Sequence, residues 1–182
     1  MENIEVEIKT LLTKEQYQQF LAFFSKKGEL LDEDDQITYY FDGDKDLRIQ
    51  QNNSYSKIVL KEGAMNAQQR DETEILCDRD YFEELEHLFT ALGYEIKIKW
   101  FRHRHSFAWQ GITVTVDDTQ HFGYMIELEI MSTPENKDTA LATLKKKMQV
   151  LGLQENPELL QRKHEEYVKH WKEFEFKEVV DE

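Results

Sequence analysis

The segment "IEVEIK", residues 4–9, alternates apolar and charged side chains along its whole length. Strict alternation is typical of a β-strand, because side chains two residues apart point to the same face. Glu5, Glu7 and Lys9 are therefore predicted to share one face, with the two glutamates roughly 6.5 Å apart along the strand. Taken alone, such a face is that of a solvated strand, so its meaning depends on the neighbouring strands.

The same alternation recurs along the chain, and four helical patterns interrupt it. Seven further strands are predicted at about 37–42, 47–50, 55–61, 70–76, 95–107, 112–117 and 124–130. Helices are predicted to begin at Thr13, Asp78, Thr133-Pro134 and Asn156-Pro157. The acidic run at 33–35 is predicted to be a solvated loop. Short links favour antiparallel pairing, and eight antiparallel strands are enough to close a barrel with a small interior.

Length and composition predict one domain over residues 1–182, with strands at about 3–131 and C-terminal helices at about 134–176. The net charge of −14 argues against binding to a nucleic acid polymer or an anionic membrane. Cys77 is the only cysteine, which excludes an internal disulfide and fits a reducing cytoplasm. We expect a cytoplasmic protein, because the sequence shows no signal peptide and no apolar run near the ~18 residues of a membrane span.

Like charges recur two residues apart on several predicted strands, in the pairs Glu5/Glu7, Glu72/Glu74, Arg102/Arg104 and Glu127/Glu129. A face built for stability alone would alternate in sign, because like neighbours destabilise a sheet. Lysine and arginine also concentrate on these faces although the whole chain is acidic. The alternative is one sheet packed on helices, with salt-bridged charges in water. Charges inside a barrel instead need a ligand, and carboxylates suit Mg²⁺ or Mn²⁺ while lysine and arginine suit phosphates.

The motif "EVEIK" at residues 5–9 resembles the E-x-E-x-K signature of the CYTH superfamily, the triphosphate tunnel metalloenzymes. A lone E-x-E-x-K arises by chance in charged strands, but here a series of similar motifs follows in the family's order. The series comprises "TYYFD" (38–42), "LRIQ" (47–50), "IVLK" (58–61), "RDETE" (70–74), "RHRHSF" (102–107) and "VDD…FGYMIELE" (116–129). The resemblance implies an α+β fold: an eight-stranded antiparallel β-barrel, the triphosphate tunnel, with helices packed outside.

The resemblance also implies which residues bind ligands. Divalent Mg²⁺ or Mn²⁺ would be held by Glu5, Glu7, Glu127 and Glu129, with Asp117 as a further candidate. The triphosphate would be bound by Lys9, Arg48, Lys61, Arg70, Arg102 and Arg104; Lys57 shares the face but is a less close match. Two positions depart from the family pattern, because Gln50 stands where many members carry arginine and Arg102 where lysine is commoner. Lys97 and Lys99 are an odd number of residues away from Arg102 on the same strand, so they are predicted to lie on its opposite face, outside the barrel.

Other sequence features offer weaker sites. His103 and His105 have the spacing of a zinc pair, but they alternate with the arginines and are predicted to face outward. The sequence contains neither a Ser-His-Asp order nor the G-x-x-x-x-G-K-[ST] motif of a phosphate-binding loop. No side chain stands out as a general base, so the catalytic residues stay unassigned.

The resemblance implies metal-dependent hydrolysis of a small-molecule triphosphate, with inorganic tripolyphosphate as the favoured substrate. Two enzymatic alternatives are thiamine triphosphate hydrolysis and a class IV-type adenylyl cyclase reaction. A third alternative, from another class of protein, is a module that binds polyphosphate without turning it over. The sequence does not determine the oligomeric state.

Overall fold

The computed structural model describes residues 4–62 and 71–176 of the chain. In these residues eight strands and four α-helices follow one another as β1 (Ile4–Leu12), α1 (Lys14–Lys27), β2 (Glu29–Phe41), β3 (Asp46–Gln51), β4 (Tyr55–Glu62), β5 (Asp71–Asp78), α2 (Phe82–Ala91), β6 (Ile96–Trp109), β7 (Ile112–Thr119), β8 (Gly123–Ser132), α3 (Lys137–Val150) and α4 (Pro157–His170). Short 3₁₀-helical turns precede α2 and α3 and follow α4. None of the helices described combines the length and apolar character that crossing a bilayer requires.

The strands form one hydrogen-bonded sheet in the order β1-β8-β7-β6-β2-β3-β4-β5. The registers of β1 with β8, β7 with β8, β2 with β3, β3 with β4 and β4 with β5 are all antiparallel. These strands and the four helices confirm the predicted α+β fold with an eight-stranded antiparallel sheet. The strand order ends at β1 and β5 in the described residues, so hydrogen-bonded closure into a barrel stays a prediction.

The chain divides into two compact units. The first unit comprises residues 1–33 and 104–165, and the second comprises residues 34–103 and 166–182. The boundaries fall within β2, β6 and α4, so each of these elements contributes one part to each unit. The predicted single domain over residues 1–182 stays a prediction.

The core of the first unit lies between its strands and helices α1 and α3. Leu128 of β8 has Ile8 of β1 on one side and Val114 of β7 on the other, and all three are buried. Phe24 of α1 and Leu144 of α3 belong to the same core and are completely buried. The helices therefore cover the apolar faces of these strands, as the alternation in the sequence predicts.

Helix α1 begins where the sequence predicts, immediately after Thr13. Thr13 Oγ1 accepts a hydrogen bond from the backbone amide of Gln16 at 3.2 Å. In return, the side-chain Oε1 of Gln16 accepts one from the backbone amide of Thr13 at 2.9 Å. This capping box satisfies two amides that the first helical turn leaves without partners. Gly28 follows the helix, and a Cβ there would lie only 3.1 Å from the carbonyl oxygens of Phe24 and Ala108. The close approach explains why a glycine occupies this position.

The second unit has its own aromatic core. Tyr39 and Phe41 of β2 pack with Phe101 of β6 and with Phe82 and Leu85 of α2. The rings of Tyr39 and Phe82 meet edge to face with their centroids 4.9 Å apart. Because side chains alternate along β2, the residues of even number lie on the opposite face, away from this core.

The prediction of a solvated loop at 33–35 is wrong, because β2 already begins at Glu29 and includes these residues. Asp34 is only 3 % exposed. Its carboxylate accepts hydrogen bonds from Gln36 Nε2 at 3.0 Å and from the backbone amide of Asn53 at 2.9 Å. These bonds offset the cost of burying a charged group. An acidic segment can therefore form part of a strand when hydrogen bonds from other residues satisfy its buried carboxylates.

Candidate functional site

Three carboxylates of the first unit meet on the charged face of β1 and β8. In the antiparallel register Glu129 lies opposite Glu7, and Glu127 lies opposite Lys9, so these side chains share one face. Carboxylate oxygens of Glu5, Glu127 and Glu129 all lie within 4.8 Å of one another. Like charges at this range repel, and oxygen donors of this kind suit a hard divalent cation such as Mg²⁺ or Mn²⁺. We call these three residues the carboxylate cluster.

Glu7 and Lys9 form an ion pair on the same strand face. Lys9 Nζ donates a hydrogen bond to Glu7 Oε1 at 2.7 Å, and both side chains are partly exposed. The pair spans two residues of β1 because side chains i and i+2 project on the same side. The structure therefore places a predicted phosphate ligand beside a predicted metal ligand.

Arg104 of β6 and Asp117 of β7 form a buried ion pair. Arg104 donates from Nε to Asp117 Oδ1 at 2.8 Å and from Nη2 to Oδ2 at 2.7 Å, and Nη2 also lies 4.0 Å from Glu127 Oε2. Burial disfavours the charged guanidinium and lowers its pKa. The attraction of Asp117, its hydrogen bonds and the charges of Glu127 and Glu129 outweigh burial, so the pKa of Arg104 is raised above its ordinary value. Arg104 is a permanent cation beside the carboxylate cluster.

The position of Asp117 differs from the role that the resemblance implies. Its side chain is 1 % exposed, and both carboxylate oxygens accept hydrogen bonds from Arg104. Asp117 belongs to neither of the two groups of described residues that could hold a metal ion, of which the carboxylate cluster is one. A metal-binding role for Asp117 stays a prediction, whereas its contact with Arg104 is observed.

In the second unit, three predicted phosphate ligands share one face of β3 and β4. Asp46 lies opposite Lys61 and Gln50 opposite Lys57, and Arg48 lies between them on β3. Directly opposed residues of antiparallel strands project on the same side, so the register places Arg48, Lys57 and Lys61 together. This face is the one that the alternation of "LRIQ" and "IVLK" predicts to be polar.

Arg48 and Lys57 on this face are held by carboxylates. Arg48 donates from Nε and Nη2 to the two oxygens of Asp46, at 2.7 and 2.6 Å. The Arg48 guanidinium also lies 4.6 Å from the centroid of the Tyr40 ring, a cation–π distance. Lys57 pairs with Glu74 of β5. An anionic ligand at these cations would meet side chains that are already oriented.

Arg102 contacts a polar network on β2. Its Nε donates to Gln36 Oε1 at 2.8 Å, and Gln36 in turn donates to Asp34. Gln36 and Asp34 are both buried and lie on the face of β2 opposite its aromatic core. The side-chain amide of Gln36 therefore links Arg102 to the buried carboxylate of Asp34.

The odd-numbered residues of β6 project on the face opposite to that of Arg102. Lys99 Nζ lies 3.5 Å from Glu86 of α2 and 3.9 Å from the centroid of the Tyr39 ring, on the side of the aromatic core. His103 Nδ1 lies 2.7 Å from Asp35 Oδ1. Both positions agree with the outward placement that the alternation predicts for these two residues.

Sequence reasoning missed three polar residues of the second unit, Asp34, Gln36 and Asp46. Asp34 falls in the predicted loop, Gln36 lies between that loop and the strand predicted at 37–42, and Asp46 immediately precedes the strand predicted at 47–50. The spacing from Asp46 to Arg48 could have revealed that pair, because residues i and i+2 of a strand share a face. Arg70, a predicted phosphate ligand, lies outside the described residues.

Comparisons with known proteins bear on the fold. A family model described as CYTH domain matches residues 3–160. A conserved hypothetical protein from Pyrococcus furiosus superposes with a TM-score of 0.71 at 24% identity, covering 82% of this chain and 91% of that chain. A proposed adenylate cyclase from Vibrio parahaemolyticus gives 0.59 at 20% identity, covering 90% of each chain. An adenylyl cyclase candidate from Hippeastrum, described as having a dominant triphosphatase activity, gives 0.60 at 17% identity, covering 84% and 89%.

A search of curated proteins found no match. At identities below one quarter, the solved structures show that the fold is shared and nothing further.

Proposed function

The chain belongs to the CYTH domain family, and from this premise we propose that it hydrolyses a triphosphate, inorganic tripolyphosphate, with a divalent cation. The observation that carries the proposal is the position of Glu127. Its carboxylate belongs to the carboxylate cluster and lies 4.0 Å from the guanidinium of Arg104. This arrangement supports the proposal, because a metal-bound polyphosphate needs carboxylates for the cation next to a cationic side chain for the phosphate.

The carboxylate cluster fits the cation that the family premise implies. Its donors are all carboxylate oxygens, the ligands that Mg²⁺ and Mn²⁺ prefer, and their mutual repulsion would be relieved by a divalent charge. When bound, such a cation would neutralise phosphate charge and acidify a nearby water. In the proposal Glu5, Glu127 and Glu129 hold the cation, while Glu7 is restrained by Lys9.

The basic side chains of each unit are proposed to contact phosphate oxygens. These residues are Lys9 and Arg104 in the first unit, and Arg48, Lys57, Lys61 and Arg102 in the second, with Arg70 assigned from the sequence alone. Asp117 and Asp46 each hold an arginine by two hydrogen bonds, which fixes the plane of the guanidinium before substrate arrives. Donors oriented in advance stabilise developing charge without reorganising during the reaction.

The proposed reaction is attack of water on the terminal phosphorus of tripolyphosphate. The bond from that phosphorus to the bridging oxygen breaks, pyrophosphate leaves, and the water supplies the oxygen of the released orthophosphate. The proton of the water passes to phosphate oxygens or solvent, since the proposal assigns no side chain as general base. Arginines and lysines offset the charge that spreads over the leaving group, so catalysis rests on positioning and electrostatics.

Two structural relatives favour an alternative in the same family. The Vibrio parahaemolyticus protein is a proposed adenylate cyclase, and the Hippeastrum protein is an adenylyl cyclase candidate with dominant triphosphatase activity. A cyclase would use the hydroxyl of the nucleotide itself as nucleophile and would release pyrophosphate. It would also need a pocket for the base, whereas tripolyphosphate needs only contacts to phosphate.

The proposal also covers the setting of the reaction. We treat residues 1–182 as one functional domain acting on a small-molecule triphosphate in the cytoplasm. The family match over residues 3–160 supports one functional domain, and the single cysteine, Cys77, fits a reducing compartment.

A substrate panel tests the proposal. Purified protein would be incubated with tripolyphosphate, ATP or thiamine triphosphate, each with Mg²⁺, Mn²⁺ or chelator, and the products would be separated. Orthophosphate and pyrophosphate from tripolyphosphate, formed only with metal, support the proposal. Cyclic AMP with pyrophosphate from ATP supports the cyclase, and binding without turnover supports a non-catalytic module.

A further inference from the structure

One face of β7 carries polar side chains although burial there is almost complete. Thr113, Thr115, Asp117 and Thr119 alternate along the strand and so share this face. Thr115 is 6 % exposed, and Asp117 and Thr119 are each 1 % exposed. Asp117 satisfies its charge with Arg104. The threonines therefore raise the question of what their hydroxyls bond.

The hydroxyls of Thr115 and Thr119 are buried and have no hydrogen-bond partner among the described residues. Elsewhere in the first unit a buried threonine is satisfied, since Thr10 Oγ1 donates to the Gln154 carbonyl at 2.9 Å. A buried hydroxyl without a partner costs stability, whereas valine has nearly the same shape and carries no such cost. Each unsatisfied hydroxyl therefore calls for a partner outside the protein or a rearrangement on binding.

The strand register distinguishes the two threonines. Thr115 lies directly opposite Glu127 of β8, whereas Thr119 lies opposite Gly123. Directly opposed side chains have Cβ atoms about 5 Å apart, within the reach of a hydroxyl and a carboxylate. Thr119 is four residues further along β7, roughly 13 Å away. Thr115 is thus the buried hydroxyl placed beside a member of the carboxylate cluster.

We propose that Thr115 is a positioning residue for the divalent cation, whose hydroxyl donates a hydrogen bond to the Glu127 carboxylate when that carboxylate holds the cation. The inference rests on the proposed function, because it needs the carboxylate cluster to be a cation site. A carboxylate that gives one lone pair to a cation can still accept hydrogen bonds on the others. Such outer hydrogen bonds fix the orientation of metal ligands and strengthen binding.

The first test separates metal affinity from folding. Thr115→Val keeps the shape and removes the donor, Thr115→Ser restores the donor, and Thr119→Val is a matched control on the same face. Thermal melts in chelator would be compared with calorimetric titrations of Mn²⁺ and Mg²⁺. Thr115→Val should melt at or above the wild-type temperature yet bind Mn²⁺ about tenfold more weakly, the lower end of the effect of losing an outer partner. Thr115→Ser should bind within about twofold of wild type, as should Thr119→Val.

The second test asks whether Thr115 acts through Glu127. In a double-mutant cycle, Thr115→Val should weaken Mn²⁺ binding in the wild-type background and should add nothing in the Glu127→Gln background. A structural role for the threonine would give the same effect in both backgrounds. If Thr115→Val folds poorly, Thr115→Ala supplies a second variant without the hydroxyl, and the same cycle applies to it.

The outcomes distinguish the inference from its premise. Equal Mn²⁺ affinity for wild type and Thr115→Val overturns the role of Thr115 while leaving the cation site intact. Equal weakening by Thr115→Val and Thr119→Val also overturns it, because the effect would then be general to the buried face. Failure of the wild-type protein to bind either metal removes the proposed function, and the inference falls with it.

Discussion

The guanidinium of Arg104 holds the carboxylate of Asp117 through two hydrogen bonds, at 2.8 and 2.7 Å, while one of the same nitrogens lies 4.0 Å from Glu127. Arginine has five N–H donors, and the contact with Asp117 uses only two of them. Arg104 can therefore remain bound to Asp117 and still donate to a phosphate. The two hydrogen bonds also offset part of the cost of burying both side chains.

Replacing Arg104 should reduce kcat/KM for tripolyphosphate by about 10² or more, because a desolvated phosphate contact contributes several kcal/mol to the transition state. The single variant Arg104→Ala leaves Asp117 buried without its partner, which can destabilise the fold. The double variant Arg104→Ala/Asp117→Asn removes both charges and should lose activity to a similar extent while staying folded. Steady-state kinetics, with circular dichroism to confirm folding, would measure this.

Lys99→Ala is the matched control for that experiment. Lys99 is also a cation of β6, but it contacts Glu86 and the Tyr39 ring on the other side of the strand. Its removal should change kcat/KM little. A larger loss with Lys99→Ala than with Arg104→Ala would show that substrate binds the opposite face of β6.

Tripolyphosphate should be cleaved with a higher kcat/KM than ATP. The proposed contacts are lysine and arginine side chains that recognise phosphate groups, so an adenosine moiety adds bulk without adding a contact. Parallel phosphate-release assays at equal metal concentration would compare the two substrates. A higher kcat/KM for ATP would contradict the tripolyphosphatase proposal and favour a nucleotide-specific reaction.

The hydroxyl of Tyr17 on α1 should make stability fall at high pH. Burial, with the charge of Asp118 as the next cause, raises the pKa of Tyr17 from 10.0 to about 12. The pKa of Tyr17 is higher in the folded state than in the unfolded state. The contribution of its neutral hydroxyl to the free energy of unfolding is therefore fully present below pH 10 and is lost as the pH rises towards 12. Chemical denaturation across this range should show wild type losing stability relative to Tyr17→Phe. A constant difference between the two proteins would contradict the raised pKa.

The control for the Tyr17 experiment is Tyr81→Phe, which removes a phenol that is 57% exposed. It corrects for effects of high pH on the rest of the protein. Subtracting its stability curve isolates the part that depends on the environment of Tyr17.

The sequence predicts which face of a strand each side chain occupies better than it predicts which charged side chains contact one another. Alternation in "IEVEIK" and "MIELEI" is enough to place Glu5, Glu127 and Glu129 on polar faces, because the period of two is a property of every strand. The contact between these residues depends on the register of β1 with β8, which alternation does not encode.

The same limit explains the ion pairs and the missed strand residues. Parity places Arg104 and Asp117 on polar faces, but their pairing depends on how β6 and β7 align across a tight turn. The acidic run that contains Asp34 predicts a loop. The burial of Asp34 depends instead on hydrogen bonds from the Gln36 side chain and the Asn53 backbone amide, which only the folded chain brings together. Polar residues with distant partners are where local sequence patterns give the least information.

The repulsion within the carboxylate cluster yields a final prediction, for Glu127→Gln. Glu127 lies within 4.8 Å of Glu5 and Glu129 through its carboxylate oxygens. The substitution keeps the shape and removes one negative charge, so in chelator it should leave stability unchanged or raise it by up to roughly 1 kcal/mol. Its contact with Arg104, at 4.0 Å, is long enough that the loss there should be small.

Millimolar metal should reverse the order of the two proteins. Wild type should gain stability with Mg²⁺ or Mn²⁺, because a ligand that binds the folded state stabilises it by mass action. Glu127→Gln should gain less and should lose hydrolysis, since it retains only two of the three carboxylates. Thermal melts of both proteins, with chelator and with metal, measure the two shifts. Equal metal-induced shifts, together with surviving hydrolysis, would show that Glu127 is not a ligand, because a solvated glutamate has no influence on cation binding.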